Sequence, residues 1–212
     1  MTGDIYHVFN RGIDKQKIFY DEQDYQRFVD NLFLLNNKDG KIRTTRNFFD
    51  TPKIKREKLV EILRWSLLPN HYHLLLYEIE DGGAVEFMKR IGNAYTKYFN
   101  TKNKGRSGYL FQNSAKKVLV ENNSQFLYIP FYIDLNPLDL KFQNWKETGL
   151  KDNKKAIDFL KNYEWSSFKD IFGNGNRQGI INQELFYDMY GINPDEYEKE
   201  LLKFLKNPDI NL

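Results

Sequence analysis

Leu67-Leu68-Pro69-Asn70-His71-Tyr72-His73-Leu74-Leu75-Leu76-Tyr77 is the stretch on which the reading of this chain turns. Two of the three histidines stand here, one residue apart, after a Pro-Asn turn and before an apolar run. Side chains alternate faces along an extended strand, so His71 and His73 project side by side and Tyr72 turns away. Neutral imidazoles on a rigid strand are good ligands for a divalent cation, and two of them make half of a site. In an arbitrary strand such a pair is more often a surface or core pairing, so its context decides.

The flanking segments supply that context. Residues 61–68 read as a buried strand, Pro69-Asn70 turns it, and 71–79 return antiparallel. Upstream, 5–10 form a first strand ended by Arg11-Gly12. Its His7, the third histidine, reads as structural or as support for the pair, with a DNA contact as the remaining alternative. Asp21 caps a helix over 22–37, with Tyr25, Phe28, Val29, Leu32 and Phe33 at core spacing. Residues 38–58 hold eight Lys/Arg against three acids and read as a loop or hairpin insertion. A second helix over 84–100 turns Val85, Met88, Ile91, Tyr95, Tyr98 and Phe99 inward. A last strand falls at 116–120. A third helix then runs to about residue 135 and stops at Asn136-Pro137.

That order predicts an α+β fold: an antiparallel, ferredoxin-like sheet with helices on one face. It covers residues 1–140. Residues 141–212 read as a helical extension packed on that core, with helices over 152–163, 182–190 and 194–206.

Composition narrows the function. Apolar residues make up 41% of the 212, with 17 Phe and 14 Tyr, which indicates a folded protein. The absence of cysteine removes disulfides, thiolate metal sites and cysteine catalysis. No signal-like start and no apolar run near 18 residues are present, so the expectation is a cytoplasmic protein without membrane contact. Charge is uneven: residues 1–133 hold 21 Lys/Arg against 15 Asp/Glu, and 134–212 hold 11 against 14. Between Glu86 and Lys117 eight basic residues face one acid, interleaved with Tyr95, Tyr98, Phe99, Tyr109 and Phe111. Such a pattern suits a groove that tracks phosphates and stacks unpaired bases. Its candidates are Lys89, Arg90, Lys97, Lys102, Lys104, Arg106, Lys116 and Lys117. Arg11, beside its glycine, is a further candidate phosphate contact.

Five words of the sequence resemble the HUH (His-hydrophobic-His) single-strand DNA transposases that use one tyrosine, closest to the REP-associated branch. They are Tyr6-His7-Val8-Phe9-Asn10-Arg11-Gly12, Leu68-Pro69-Asn70-His71-Tyr72-His73, Asp81-Gly82-Gly83, Tyr95-Thr96-Lys97-Tyr98-Phe99-Asn100 and Tyr132-Ile133-Asp134-Leu135-Asn136-Pro137. They run in family order over roughly residues 5–140. The resemblance implies a ferredoxin-like fold and Tyr132 as nucleophile. It implies Mg²⁺ or Mn²⁺ held by His71, His73 and Asn136, and single-stranded or hairpin DNA as substrate, with no nucleotide cofactor. It is also compatible with a homodimer, in which a swapped helix can bring the tyrosine to the partner's histidines.

Tyr132 and Asn136, four residues apart, share a helix face. Pro130 lies inside that helix, removes one backbone hydrogen bond and predicts a kink, which keeps Tyr128 as a weaker candidate. Tyr95 and Tyr98 are rivals that lack the following amide and proline. Two other functions fit the same words: a domesticated, non-catalytic binder of hairpin DNA, and a replication-initiator or relaxase-like nickase.

Overall fold

The protein is described by a computed structural model over residues 2–40, 56–121, 123–150, 152–177 and 179–206. Most of the basic insertion expected at 38–58 lies outside the described residues. The first part of the chain runs β1 (Ile5–Arg11), α1 (Glu22–Leu34), β2 (Val60–Leu68), β3 (His71–Glu78), α2 (Gly83–Lys102) and β4 (Lys116–Leu119). The strands lie in the order β2-β3-β1-β4, with each neighbouring pair antiparallel. This is the ferredoxin-like arrangement read from the sequence.

Asp21 caps α1 as expected, its carboxylate accepting the Asp24 backbone N–H. Helices α1 and α2 bury their apolar stripes on one sheet face, against Val8, Trp65, Tyr72, Leu74 and Leu76. Full burial of each such side chain contributes about 1.5–3 kcal/mol. Val85 departs from the expected inner stripe. It is 56% exposed, while Ala84 beside it is buried, because Val85 lines an open groove beside α2.

The opposite face is also covered. Helix α3 (Asn123–Leu135) and a 3₁₀ turn (Asn136–Leu140) lead into α4 (Trp145–Thr148), α5 (Asn153–Asn162), α6 (Ser167–Phe172), α7 (Gln183–Tyr190) and α8 (Pro194–Lys206). Leu63 and Leu75 of the sheet join Ile129, Phe131, Ile133, Phe168, Phe186 and Tyr197 in a second core. A β-bulge between Ile62 and Arg64 aids this, since the extra residue lets both Leu63 and Arg64 face the helical extension. No helix among the described residues is long and apolar enough to cross a membrane.

The histidine hairpin is clamped by the loop after β1. The Gly12 N–H donates to the Asn70 carbonyl (2.9 Å), Ile18 and Phe19 donate to the Pro69 carbonyl (2.8 and 3.1 Å), and the Asn70 amide donates to the Lys15 carbonyl (3.0 Å). Gly12 is required there: a Cβ would collide with the Gln16 carbonyl oxygen.

Candidate active site

Register places the site's residues on one face. His71 stands opposite Arg11, His73 opposite Phe9, and Leu75 opposite His7. Directly opposed residues of an antiparallel pair share a face, so the three imidazoles, Phe9 and Arg11 all turn toward α3. The ring centroids of His71 and His73 are 5.1 Å apart, and those of His7 and His73 are 5.2 Å apart.

The hydrogen bonds decide which nitrogens are free. The Asn70 side-chain oxygen, an acceptor, lies 2.6 Å from Nδ1 of His71, so that nitrogen carries the proton and donates. The lone pair of His71 is therefore on Nε2. Nδ1 of His73 is 3.0 Å from Nε2 of His7, and Nε2 of His73 is buried without a hydrogen-bond partner. Burial lowers His7 and His71 to about 4 and takes His73 well below the usual imidazole range, with the His7, His71, Lys146 and Arg11 charges adding to the last. All three rings are thus neutral near pH 7, the form that ligates a metal.

Helix α3 brings the other half. The Tyr132 ring stands edge-on to His73 at 5.3 Å and to His7 at 5.9 Å, centroid to centroid. The helix runs through Pro130 unbroken, and near it the Tyr190 hydroxyl of α7 donates to the Leu127 carbonyl at 2.7 Å. Asn136 begins the 3₁₀ turn and is buried. Its side chain interacts with His71 and raises that imidazole's proton affinity, while no hydrogen bond of regular geometry engages its oxygen or nitrogen. Two orphaned buried polar groups, Nε2 of His73 and the Asn136 amide, therefore face an unfilled need on the same side of the sheet. Among the described residues no group of three His, Cys, Asp or Glu side chains is placed to hold a metal. An ion here would depend on the amide as third ligand, and the orphaned atoms fit that role.

The rival tyrosines sit elsewhere. Tyr95 donates to the Ile18 carbonyl (2.6 Å) and Tyr98 to Asp24 (2.9 Å), both on the α1–α2 side. Tyr128 stacks 6.1 Å from Tyr132 and packs on Phe204, with its hydroxyl buried.

Of the basic candidates, Lys89, Lys97, Lys104, Lys116 and Lys117 are exposed, and Arg11 is half-buried near His71. Three others are held internally. Lys102 pairs with Asp21 and Asp24, each at 2.7 Å. Arg90 bonds Glu86 and the Asn37 carbonyl, and Arg106 bonds Asn100, Gln16 and the Tyr109 carbonyl.

Sequence reasoning passed over Lys146, in the extension. Its ammonium lies 5.3 Å from the Tyr132 ring centroid and 2.6 Å from Asp139, which also accepts from the Trp145 indole (2.7 Å). No local pattern marks it; only the docking of α4 brings it in.

The class of molecule defined so far is a ferredoxin-like α+β domain with paired strand histidines facing a helix-borne tyrosine. No family model matches the chain, and no curated protein does. Among solved structures, its fold is similar to that of a REP-associated tyrosine transposase captured with a REP hairpin. The TM-score is 0.50 and the identity 14%, over 86% of this chain and 85% of that one. The two proteins accordingly share a fold.

Proposed function

We propose that this protein is a metal-dependent transposase or endonuclease that cuts and rejoins single-stranded or hairpin DNA through Tyr132. The observation that carries the reading is the contact of the Tyr132 phenol, from α3, with His73 on β3. Both come from the same chain, which supports a site completed in cis.

In the proposed step the Tyr132 oxygen attacks the phosphorus of a phosphodiester and its proton passes to solvent. The bond to the 3′ oxygen breaks, leaving a 5′-phosphotyrosine and a free 3′-OH. Attack by another 3′-OH reverses the step and joins strands without an energy source. A phenol is a weak nucleophile at neutral pH. Lys146, beside the ring, supplies positive charge where the phenolate develops, and Arg11 lies at the His71 end to meet a phosphate. His71, His73 and Asn136 would hold Mg²⁺ or Mn²⁺, which supplies Lewis-acid polarisation of the phosphate. His7 would keep the proton of His73 on Nδ1, turning the Nε2 lone pair toward the ion. The similar solved protein was captured with a hairpin, which supports hairpin DNA as the substrate class.

The test incubates the protein with end-labelled hairpin DNA and Mn²⁺, and resolves covalent adducts on a denaturing gel. Wild type forms an adduct, Tyr132→Phe forms none, and His71→Ala loses it while retaining DNA binding. An adduct lost in Tyr128→Phe but kept in Tyr132→Phe would reassign the nucleophile. No adduct on any hairpin substrate would leave a DNA-binding protein without turnover.

A further inference from the structure

On the sheet face away from the histidines, a cavity of about 850 Å³ opens between α2 and the segment leading into β4. That is within the range of ligand pockets, roughly 300–1,000 Å³. None of the described residues lining it is acidic, and Lys89, Lys97 and Lys117 stand along it with Asn93 and Gln112. Tyr109, at its wall, is 86% exposed, so its ring is open to stacking. Gly92 widens the floor of the groove: a Cβ there would meet nothing within 4 Å.

The edge strand joins this groove to the candidate active site. Lys117 stands opposite Val8, on the groove face, and Lys116 stands opposite Phe9, on the histidine face. The Lys116 ammonium is 5.8 Å from the Phe9 ring centroid, and the Phe9 ring stacks 5.6 Å from His73. All four residues of β4 are exposed. A polyanionic strand leaving the groove across this edge would meet one lysine on each face in turn.

We propose that the groove holds an unpaired single-stranded segment of the DNA substrate, with a base stacked on Tyr109 and phosphates running past Lys97 and Lys117, and that the strand crosses the β4 edge to reach Tyr132. The crossing rests on the nuclease reading; the groove's chemistry does not. Charge complementarity selects a polyanion, and an exposed aromatic in a slot beside lysines selects unstacked bases over duplex.

The experiment uses fluorescein-labelled dT₁₂ carrying one iodouracil, with the same strand annealed to dA₁₂ as control. Photocrosslinking followed by mass spectrometry should place the adduct on the peptide bearing Tyr109, and the duplex should crosslink far less. By anisotropy, Tyr109→Ala should weaken dT₁₂ binding by about 5- to 150-fold, the usual worth of one stacked base. Lys117→Gln should flatten the slope of log affinity against log salt by about 0.7. Gly92→Phe should block the groove without displacing backbone, and its fold is checked by circular dichroism. Tyr109 is a surface side chain, so its variant tests the idea even if Gly92→Phe misfolds. A crosslink confined to other peptides, with unchanged affinity in Tyr109→Ala, would overturn the groove. Loss of the Tyr132 adduct assay with these effects intact would instead overturn the nuclease reading and keep the groove as a single-strand site.

Discussion

Removing Asp134 should unlock the helix that carries Tyr132 and leads into Asn136. Asp134 lies between them in sequence and is fully buried, as is its partner Arg64. Nε of Arg64 donates to the carboxylate at 3.3 Å, and the Tyr197 hydroxyl donates to the same oxygen at 2.7 Å. The guanidinium also donates to the Leu63 carbonyl (2.8 Å) and lies 3.5 Å from the Phe186 ring centroid. One ion pair thus ties β2, α3, α7 and α8 together. Asp134→Ala leaves a guanidinium in the core without its counter-charge, which costs about 3–5 kcal/mol. That is a large share of the roughly 5–15 kcal/mol by which a domain is stable. With a urea m-value near about 3 kcal/mol/M, the midpoint should fall by roughly 1–1.7 M with the slope unchanged. The triple variant Arg64→Met, Asp134→Leu, Tyr197→Phe removes the charges and the hydroxyl together and should recover most of that loss. A midpoint for Asp134→Ala within about 0.3 M of wild type, roughly 1 kcal/mol at that slope, would refute the claim that this pair anchors α3.

Three further outcomes are expected from the packing around the site. On the proposed metal-dependent reading, His7→Ala should lower Mn²⁺ affinity by about 10- to 100-fold in titration calorimetry with DNA present, because His73 loses its ring-to-ring partner at 3.0 Å; equal affinity would remove His7 from the site. Gly12→Ala forces the Gln16 carbonyl aside and should cost about 1–3 kcal/mol, read as a melting temperature lower by several degrees, whereas an unchanged melting temperature would mean the loop yields freely. Stability should fall on acidification between about pH 6.5 and pH 4. The unfolded imidazoles take protons near 6.5, while burial holds His7 and His71 at about 4, so the unfolded chain binds protons the native one refuses. Each such histidine lowers stability by up to about 1.4 kcal/mol for every pH unit of acidification within that window and leaves it unchanged above it. A urea midpoint independent of pH from 7 to 5 would contradict the burial of these rings.

Much of the fold was legible along the chain because its signals are local. Strand alternation alone puts His71 and His73 on one face, and Pro69-Asn70 makes the hairpin that presents them. The cap at Asp21 and the 3.6-residue spacing of Phe28, Leu32 and Phe33 mark α1 without any tertiary knowledge. The one-turn spacing of Tyr132 and Asn136 is a local property too, although α3 ends at Leu135 and Asn136 opens the 3₁₀ turn that follows.

Other features needed the assembled molecule, since they depend on contacts between residues far apart in sequence. His7 and His73 are 66 positions apart, and only the β1–β3 register makes them hydrogen-bond partners. Lys146 reaches Tyr132 only because α4 docks beside α3. The bulge in β2 sends Arg64 into the core, where charge counting along the chain gives no hint of a buried pair. Charge counting likewise treats Lys97 and Lys102 alike. Three-dimensional packing ties Lys102 to Asp21 and Asp24 and leaves Lys97 along the groove. Periodicity records which residues share a face, but the free energy of burial decides what that face meets. That choice is made by the whole sheet and its two helical layers together.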